Sequence, residues 1–341
     1  MPTEGHEYTR PVPRHHLVAG GSGFIGSHLC DAFLAAGDSV TVVDNFATGR
    51  QRNVAHLMGH PGFRLVEHDI TLPLPAPITD SRYDTVLDFA SPASPVDFRT
   101  MPLEILAVGS TGTRHLLELA TRQCARFMLA STSEVYGDPL VHPQPESYLG
   151  NVDPIGPRSC YDEAKRFSEA LTMAFHRTHG TDVRIVRIFN TYGERMRPDD
   201  GRVVNAFIVA ALRGEPLQLF GDGSQTRSFC HVSDEVRGLL AVLDGDLVGP
   251  VNVGNPDEHT VAELASMVVE LVDAFRDPDA PAVPRSEIVT SPMPFERTGD
   301  PNRRRPDITL LHGHYGWTPE VSLHDGLRRM IHSFVHDEQI R

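Results

Sequence analysis

At 341 residues, 40% of them hydrophobic and 22% charged, the chain can bury a sizeable core in one large domain or two unequal ones. A formal net charge of −14 argues against a general nucleic-acid or anionic-membrane surface, although local arginines still permit an anionic substrate. Four scattered cysteines without a CxxC pair (Cys30, Cys124, Cys160, Cys230) fit a reducing compartment, and 18 dispersed histidines without an HExxH motif form no metal site.

Met1 to Arg14 is polar and proline-containing, lacks the apolar core of a signal peptide, and reads as a flexible tail on a cytoplasmic protein. No run of about 18 apolar residues offers a membrane span. His16-Leu17-Val18-Ala19 is an apolar strand running into Gly20-Gly21-Ser22-Gly23-Phe24-Ile25-Gly26. A helical pattern follows to Ala36, with Gly37 as its C-terminal cap. Val40–Val43 is the next strand, closed by Asp44. Phe63–Val66 leads to Asp69-Ile70, and Thr85–Phe89 leads to Ala90-Ser91-Pro92. Leu103 to Ala120 reads as one long helix, and Arg126–Ala130 as a fifth strand. A helix carrying Tyr161 precedes a sixth strand, Val183–Ile188. Strands alternating with helices predict a doubly wound α/β fold, a parallel sheet covered on both faces.

Beyond about residue 190 the pattern loosens into short elements, with a Pro/Asp-rich stretch near 277–284. Residues 15–190 are therefore expected to form a dinucleotide-binding Rossmann domain. Residues 191–335 are expected to form mostly a smaller substrate lobe, interleaved with the main sheet because Leu219–Val232 and Val251-Asn252-Val253 return to it. No internal repeat or low-complexity tract interrupts the chain.

Two stretches carry chemistry. Gly20, Gly23 and Gly26 lie between a strand and a helix, where the absence of Cβ atoms lets backbone approach a pyrophosphate at the helix N-terminus. Asp44, at the end of the second strand, can accept both ribose hydroxyls of an adenosine and would repel a 2′-phosphate, which favours NAD over NADP. In Tyr161-Asp162-Glu163-Ala164-Lys165, a spacing of four puts Tyr161 and Lys165 on one helix face. A free phenol titrates near pH 10, and a neighbouring ammonium in a shielded site is the expected source of a lower value. On a solvated helix face the same pair would carry no chemistry.

Glycine triplet, Asp44 and YxxxK, in this order, resemble the short-chain dehydrogenase/reductase superfamily. Asp44–Arg50 (DNFATGR), Ala90–Pro95 (ASPASP), Ser131-Thr132-Ser133-Glu134-Val135-Tyr136-Gly137, Asn151–Arg158 (NVDPIGPR), Ile188–Gly193 (IFNTYG) and Gly223–Arg227 (GSQTR) narrow this to the UDP-glucuronate decarboxylase family of its extended branch, over about residues 15–335. The resemblance implies a UDP-sugar substrate, UDP-glucuronate, oxidised at C4 onto NAD, decarboxylated as a β-keto acid and reduced again to UDP-xylose. It implies Tyr161 as the base, Lys165 as its support, Thr132 as a hydrogen bond to the C4 oxygen and Glu134 as an acid/base near C5. Dehydratases of the same branch carry an aspartate where this chain has Ser133, which neither donates a proton strongly nor repels a substrate carboxylate. Implied cofactor contacts are Gly20, Gly23, Phe24, Ile25, Gly26, Asp44, Asn45, Thr48, Gly49, Asp69, Ile70, Phe89, Ala90, Ser91, Tyr161, Lys165 and Thr191. Implied substrate contacts are Asn190, Arg202, Arg227 and Arg304; Arg304, with Arg303 or Arg305 as an alternative, is also implied as a catalytic residue that reaches the carboxylate and helps deliver a proton. No metal is implied.

Two positions depart from the family: Ala107 and Gly109 stand where its members usually carry Lys and Asn. A decarboxylase that stops at the UDP-4-keto-pentose and releases NADH would look almost the same, and a UDP-glucuronate 4-epimerase is a further alternative. A non-catalytic NAD sensor on the same fold would need the glycine loop but not Tyr161. A homodimer is implied through the helices at 103–120 and 161–179.

Overall fold

The computed structural model describes residues 12–276, 283–292, 301 and 303–336. Most of the expected tail and most of the Pro/Asp-rich stretch lie outside the described residues. Of the tail, Arg14 is tied down: its backbone N–H and its guanidinium reach Asp38 and Asp244 at 2.9 and 2.8 Å.

Six strands form the expected parallel sheet: β1 (His15–Ala19), β2 (Ser39–Asp44), β3 (Phe63–Glu67), β4 (Thr85–Asp88), β5 (Arg126–Thr132) and β6 (Val183–Ile188). Their apolar runs bury alternate residues on opposite faces, as the two-residue period of a strand dictates. Val18, Val42, Leu87, Met128 and Val186 join one core, whereas Leu17, Val43, Val86, Phe127 and Ile185 join the other. The single tryptophan, Trp317, belongs to the first core and donates its indole N–H to Asp234 O at 3.2 Å.

From residue 191 the strands are β7 (Thr191–Tyr192), β8 (Leu217–Phe220), β9 (Thr226–Ser228), β10 (Cys230–His231), β11 (Pro250–Val253), β12 (Glu258–Thr260), β13 (Ile288–Ser291) and β14 (Arg303–Arg304). Of these only β11 enters the main sheet, whose order is β11-β6-β5-β4-β1-β2-β3. The expectation for Leu219–Val232 is corrected: β8 pairs with β13, β9 with β12 and β14, and β10 with β7, all in small separate sheets. The cause is local, since Gly221 and Gly223 both have positive φ and turn the chain before a long strand can form. A third core, including Phe207, Ile208, Leu264, Val268, Leu327 and Ile331, holds the lobe together.

The long helix expected over 103–120 is also modified. It runs as Pro102–Ala107 and Thr113–Gln123, joined by a widened π turn at Val108–Gly112. Glycine permits this turn to sit tightly on its neighbours. A Cβ on Gly109 would lie 2.9 Å from the Ala164 Cβ, and one on Gly112 would lie 2.9 Å from Ile70 Cδ1. The Tyr161 helix spans Ser159–His179 and ends on Gly180 in the left-handed conformation, with His176, Arg177 and His179 in its last turn.

The sheet order reverses between β1 and β4, whose helical connections leave on opposite sides. In an open α/β sheet the crevice at the carboxyl ends of such strands is where ligands bind.

Candidate active site

A cavity of about 800 Å3 opens at this point, walled by the carboxyl ends of the central strands on one side and by the lobe on the other. Every residue selected from the sequence lines it, from Gly20 in the first loop to Arg304 in β14.

At one end the wall is backbone. Gly20 has φ +76°, and a Cβ there would lie 2.6 Å from the Phe89 carbonyl oxygen. A Cβ on Gly26 would collide with the Gly20 carbonyl. Gly23 caps the helix Phe24–Ala35 without any side-chain hydrogen bond, so the first-turn amides keep their capacity for an anion. Asp44 closes β2, buried, and accepts the N–H of Ser22 and of Phe46, both at 2.9 Å, one on each carboxylate oxygen. Burial pushes its pKa up and these two N–H groups pull it back. Each oxygen retains a second lone pair for a ribose hydroxyl. A Cβ on Gly49 would stand 2.7 Å from Asp44 Oδ1, so this side of the carboxylate also needs a glycine. Asn45 donates to Asp69 at 3.1 Å, and Asp69 also accepts the Thr71 N–H at 2.8 Å, which fixes the loops after β2 and β3. The cradle without Cβ atoms, the uncapped helix start and the acid at the strand end together fit an NAD pyrophosphate and adenosine. Thr191 also lines the cavity, and its hydroxyl is held 2.9 Å from Phe189 O and 3.1 Å from buried Glu235.

At the middle of the cavity stand Tyr161, Thr132 and Lys165, all buried. The Tyr161 ring stacks on Phe98, with centroids 4.8 Å apart and planes at 19°. Lys165 Nζ donates to Ala130 O at 2.9 Å. Burial pushes the Tyr161 phenol up to about 12, against a hydrogen bond with Thr132 and the field of Arg202. Burial thus works against the lowered phenol expected of the Tyr161/Lys165 pair. Burial weakens the Lys165 ammonium too, and its hydrogen bond goes to a carbonyl.

The other end is rich in guanidinium. Arg304 is fully buried; it donates to Ser133 Oγ at 3.0 Å and Gly137 O at 2.9 Å, and its NH1 lies 3.4 Å from Glu134 Oε1. Strand alternation turns Arg303 and Arg305 outward, where each lies 3.8 to 3.9 Å from Glu258, so Arg304 alone of the three lines the cavity. Glu134 also accepts from Arg158 at 2.7 Å. Burial would raise its carboxyl, but Arg158 and then Arg304 outweigh that and hold it at about 2. Glu134 is therefore a fixed carboxylate at neutral pH, able to accept a proton but not to start as an acid. Arg202 lies 2.7 Å from Asp200, Arg227 donates to Thr226 O at 2.8 Å, and Asn190 holds the Cys230 N–H on its carbonyl.

Sequence reasoning missed three residues here. Arg158 pairs with Glu134 and lies over the Phe98 ring, 5.4 Å from its centroid, so it joins the carboxylate to the ring stacked on Tyr161. Asp162, behind Tyr161, is pushed up to about 7 by burial and then by Glu134, and its Oδ1 has no hydrogen-bond partner. Arg158 and Asp162 both lie inside the sequence motifs, but their roles come from neighbours that only the fold supplies. Phe98 lies outside those motifs.

The departures at 107 and 109 have a common geometry. Ala107 lines the cavity, and the Gly109 carbonyl accepts the Ser168 hydroxyl at 2.7 Å, at the close approach to Ala164. An asparagine at 109 would force the two helices apart.

The family model described as GDP-mannose 4,6 dehydratase matches residues 17–330. The chain is 50% identical over 318 residues to UDP-glucuronic acid decarboxylase 2 of Arabidopsis thaliana, covering 93% of this chain and 67% of that one. It is 48% identical over 321 residues to UDP-glucuronic acid decarboxylase 1 of Danio rerio, covering 94% and 72%. Among solved structures it resembles a dTDP-glucose 4,6-dehydratase from Streptomyces venezuelae with NAD bound (TM-score 0.81, 29% identity, 96% and 100% of the two chains). It also resembles a UDP-glucuronic acid 4-epimerase from Bacillus cereus in complex with UDP-glucuronic acid and NAD (TM-score 0.78, 27% identity, 94% and 98%).

Proposed function

For a chain that belongs to the UDP-glucuronic acid decarboxylase family of extended short-chain dehydrogenases/reductases, we propose NAD-dependent decarboxylation of UDP-glucuronate to UDP-xylose. The observation that carries the reading is buried Arg304 joined to Ser133 and Glu134, in one cavity with Tyr161, Lys165 and Thr132. NAD, when bound, supplies the acceptor and later the donor of the C4 hydride, and a positive ring charge.

Tyr161 accepts the proton of the C4 hydroxyl, with Thr132 holding that oxygen and Lys165 supplying positive charge behind the phenol. The 4-keto acid so formed has its ketone on the carbon next to C5, which bears the carboxylate, so it is a β-keto acid. Loss of CO2 leaves an enolate on the C4 oxygen, which Tyr161 and Thr132 stabilise by hydrogen bonding. Arg304 draws the departing carboxylate toward neutral Ser133. An aspartate at 133 would repel that carboxylate, and without one the site lacks the strong proton donor that dehydration needs. The proton that C5 takes up comes from solvent water, relayed through Glu134, which is ionised at rest. Arg202, Arg227 and Asn190 hold the UDP-sugar, because guanidinium grips phosphate in two places. Residues 15–190 bind the dinucleotide, and 191–335 form mostly the substrate lobe.

Leu103, Leu106 and Phe167 are exposed on the helices 102–123 and 159–179, which supports a homodimer through those faces. Among the described residues no helix is long and apolar enough to cross a membrane. The reading includes a cytoplasmic location.

Incubation with UDP-glucuronate and NAD+, following product mass and reduced-nicotinamide absorbance together, tests the reaction. Loss of CO2 without accumulation of NADH is expected. Stoichiometric NADH would mean release of the keto-pentose, and an unchanged mass with the C4 epimer formed would mean an epimerase.

A further inference from the structure

Lys165 is the only lysine in the chain, every other fixed side-chain cation being an arginine. Arginine keeps its charge when buried, whereas a lysine ammonium gives it up readily. Lys165 is buried, and its hydrogen bond goes to a neutral carbonyl, Ala130 O.

The ionisable groups on the elements beside it are few. Its own helix carries Tyr161, Asp162 and Glu169, the turn after β5 carries Glu134, and β4 ends on Asp88. Glu169 is committed to Arg187 at 2.9 and 2.8 Å and to Ser131 at 2.6 Å. Glu134 is committed to Arg158, and Asp162 faces that same cluster. From the facing helix, Thr113 and the Gly109 carbonyl reach Ser168 of the Lys165 helix, and both are neutral.

Asp88 is different. It is 2% exposed, does not line the cavity, and forms no ion pair of 4 Å or less among the described residues. Its Oδ2 accepts the Thr113 hydroxyl at 2.8 Å, while Oδ1 has no hydrogen-bond partner. In the β4–β5 register it stands beside Leu129, the residue before Ala130 whose carbonyl holds Lys165.

We propose that Asp88 is a positioning residue, the buried counter-charge that keeps Lys165 protonated beneath Tyr161. The inference rests on the roles proposed above for Tyr161 and Lys165. Fixed by Thr113 and by strand register, the carboxylate is held close enough for its field to bear on the ammonium, and it does not line the cavity, so it acts only through Lys165. The electrostatics run the same way: burial lowers Lys165 and Asp88 raises it, while burial raises Asp88 and Lys165 lowers it. Each buried charge supports the other.

The lone lysine makes a direct test possible. Protein carrying lysine labelled with carbon-13 at the ε position gives one side-chain signal, whose pH titration is that of Lys165. In Asp88→Asn, which keeps the acceptor for Thr113, the midpoint is expected to fall by about one pH unit or more. The acid limb of turnover against pH should move upward with it, as the phenol loses its support. Thr113→Val, which loosens Asp88 without removing it, should give a smaller shift in the same direction. A folded Asp88→Asn protein with an unmoved lysine midpoint overturns the proposal. Should that variant not fold, an unmoved midpoint in Thr113→Val does the same. Tyr161→Phe is measured separately: retained turnover would remove the proposed base, while the lysine titration would still decide whether Asp88 and Lys165 are coupled.

Discussion

At the glycine-loop end the cavity wall is backbone and one carboxylate; at the opposite end it is arginine side chains, with Arg304 buried behind Ser133 and Glu134. The two ends have to solve different problems. A pyrophosphate lying against backbone requires close approach, so the residues there are chosen for what they lack. A sugar carboxylate that departs as neutral CO2 needs a positive group held in place without water, so those residues are chosen for what they carry. Substitutions should therefore act sterically at one end and electrostatically at the other, with Tyr161 between them answering to both.

The most damaging change should be at that midpoint. Tyr161→Phe is expected to lower turnover about 10³-fold or more while leaving NAD affinity, measured by calorimetric titration, nearly unchanged. At the arginine end, Arg304→Lys should keep a charge but lose the fork that spans Ser133 and Gly137, and cost on the order of 10²-fold in decarboxylation. Arg303→Ala, one residue away and exposed, should cost almost nothing, and equal losses from both would erase the distinction drawn here. At the glycine end, Gly20→Ala has to fit a methyl against the Phe89 carbonyl at positive φ. NAD affinity should fall about 30- to 100-fold, an effect of roughly 2–3 kcal/mol, with binding of UDP alone intact.

The smallest effect expected is on stability, and it concerns Asp162. Its folded-state value, about 7, lies above the ordinary aspartate value of 3.8. Folding therefore takes up a proton between those values, and stability declines as pH rises through that window. Asp162→Asn should remove the decline. Its melting temperature should match the wild type near pH 4 and exceed it by a few degrees near pH 8. A uniform change across that range would mean that the side chain matters by shape alone.

How much of this was legible beforehand follows from the range of the interactions. The six strands and the glycine loop are written in short stretches, and the structure places them within a residue or two. Leu219–Val232 misled because its apolar residues resemble a returning strand, whereas Gly221 and Gly223 decide its path. The π turn at Val108–Gly112 depends on Ala164 and Ile70, distant in sequence, and no local pattern announces it. Many of the cavity-lining residues were accessible because they lie in recognisable motifs, from Gly20 to Gly26 and from Tyr161 to Lys165. Arg158 over Phe98, and the raised phenol of Tyr161, required the packing itself.

The position of β11 has a consequence for how the molecule is made. Pro250–Val253 covers the edge of β6, yet the whole first part of the lobe is encoded between them. At roughly 5–20 residues per second, on the order of 3–12 seconds of translation separate Ile188 from Pro250. During that interval β6 emerges from the ribosome with one row of amides and carbonyls uncovered, beside a core face that still awaits Val251, Val253 and Trp317. The nascent sheet thus keeps an uncovered margin, of the kind that invites wrong pairing, until the last strand arrives.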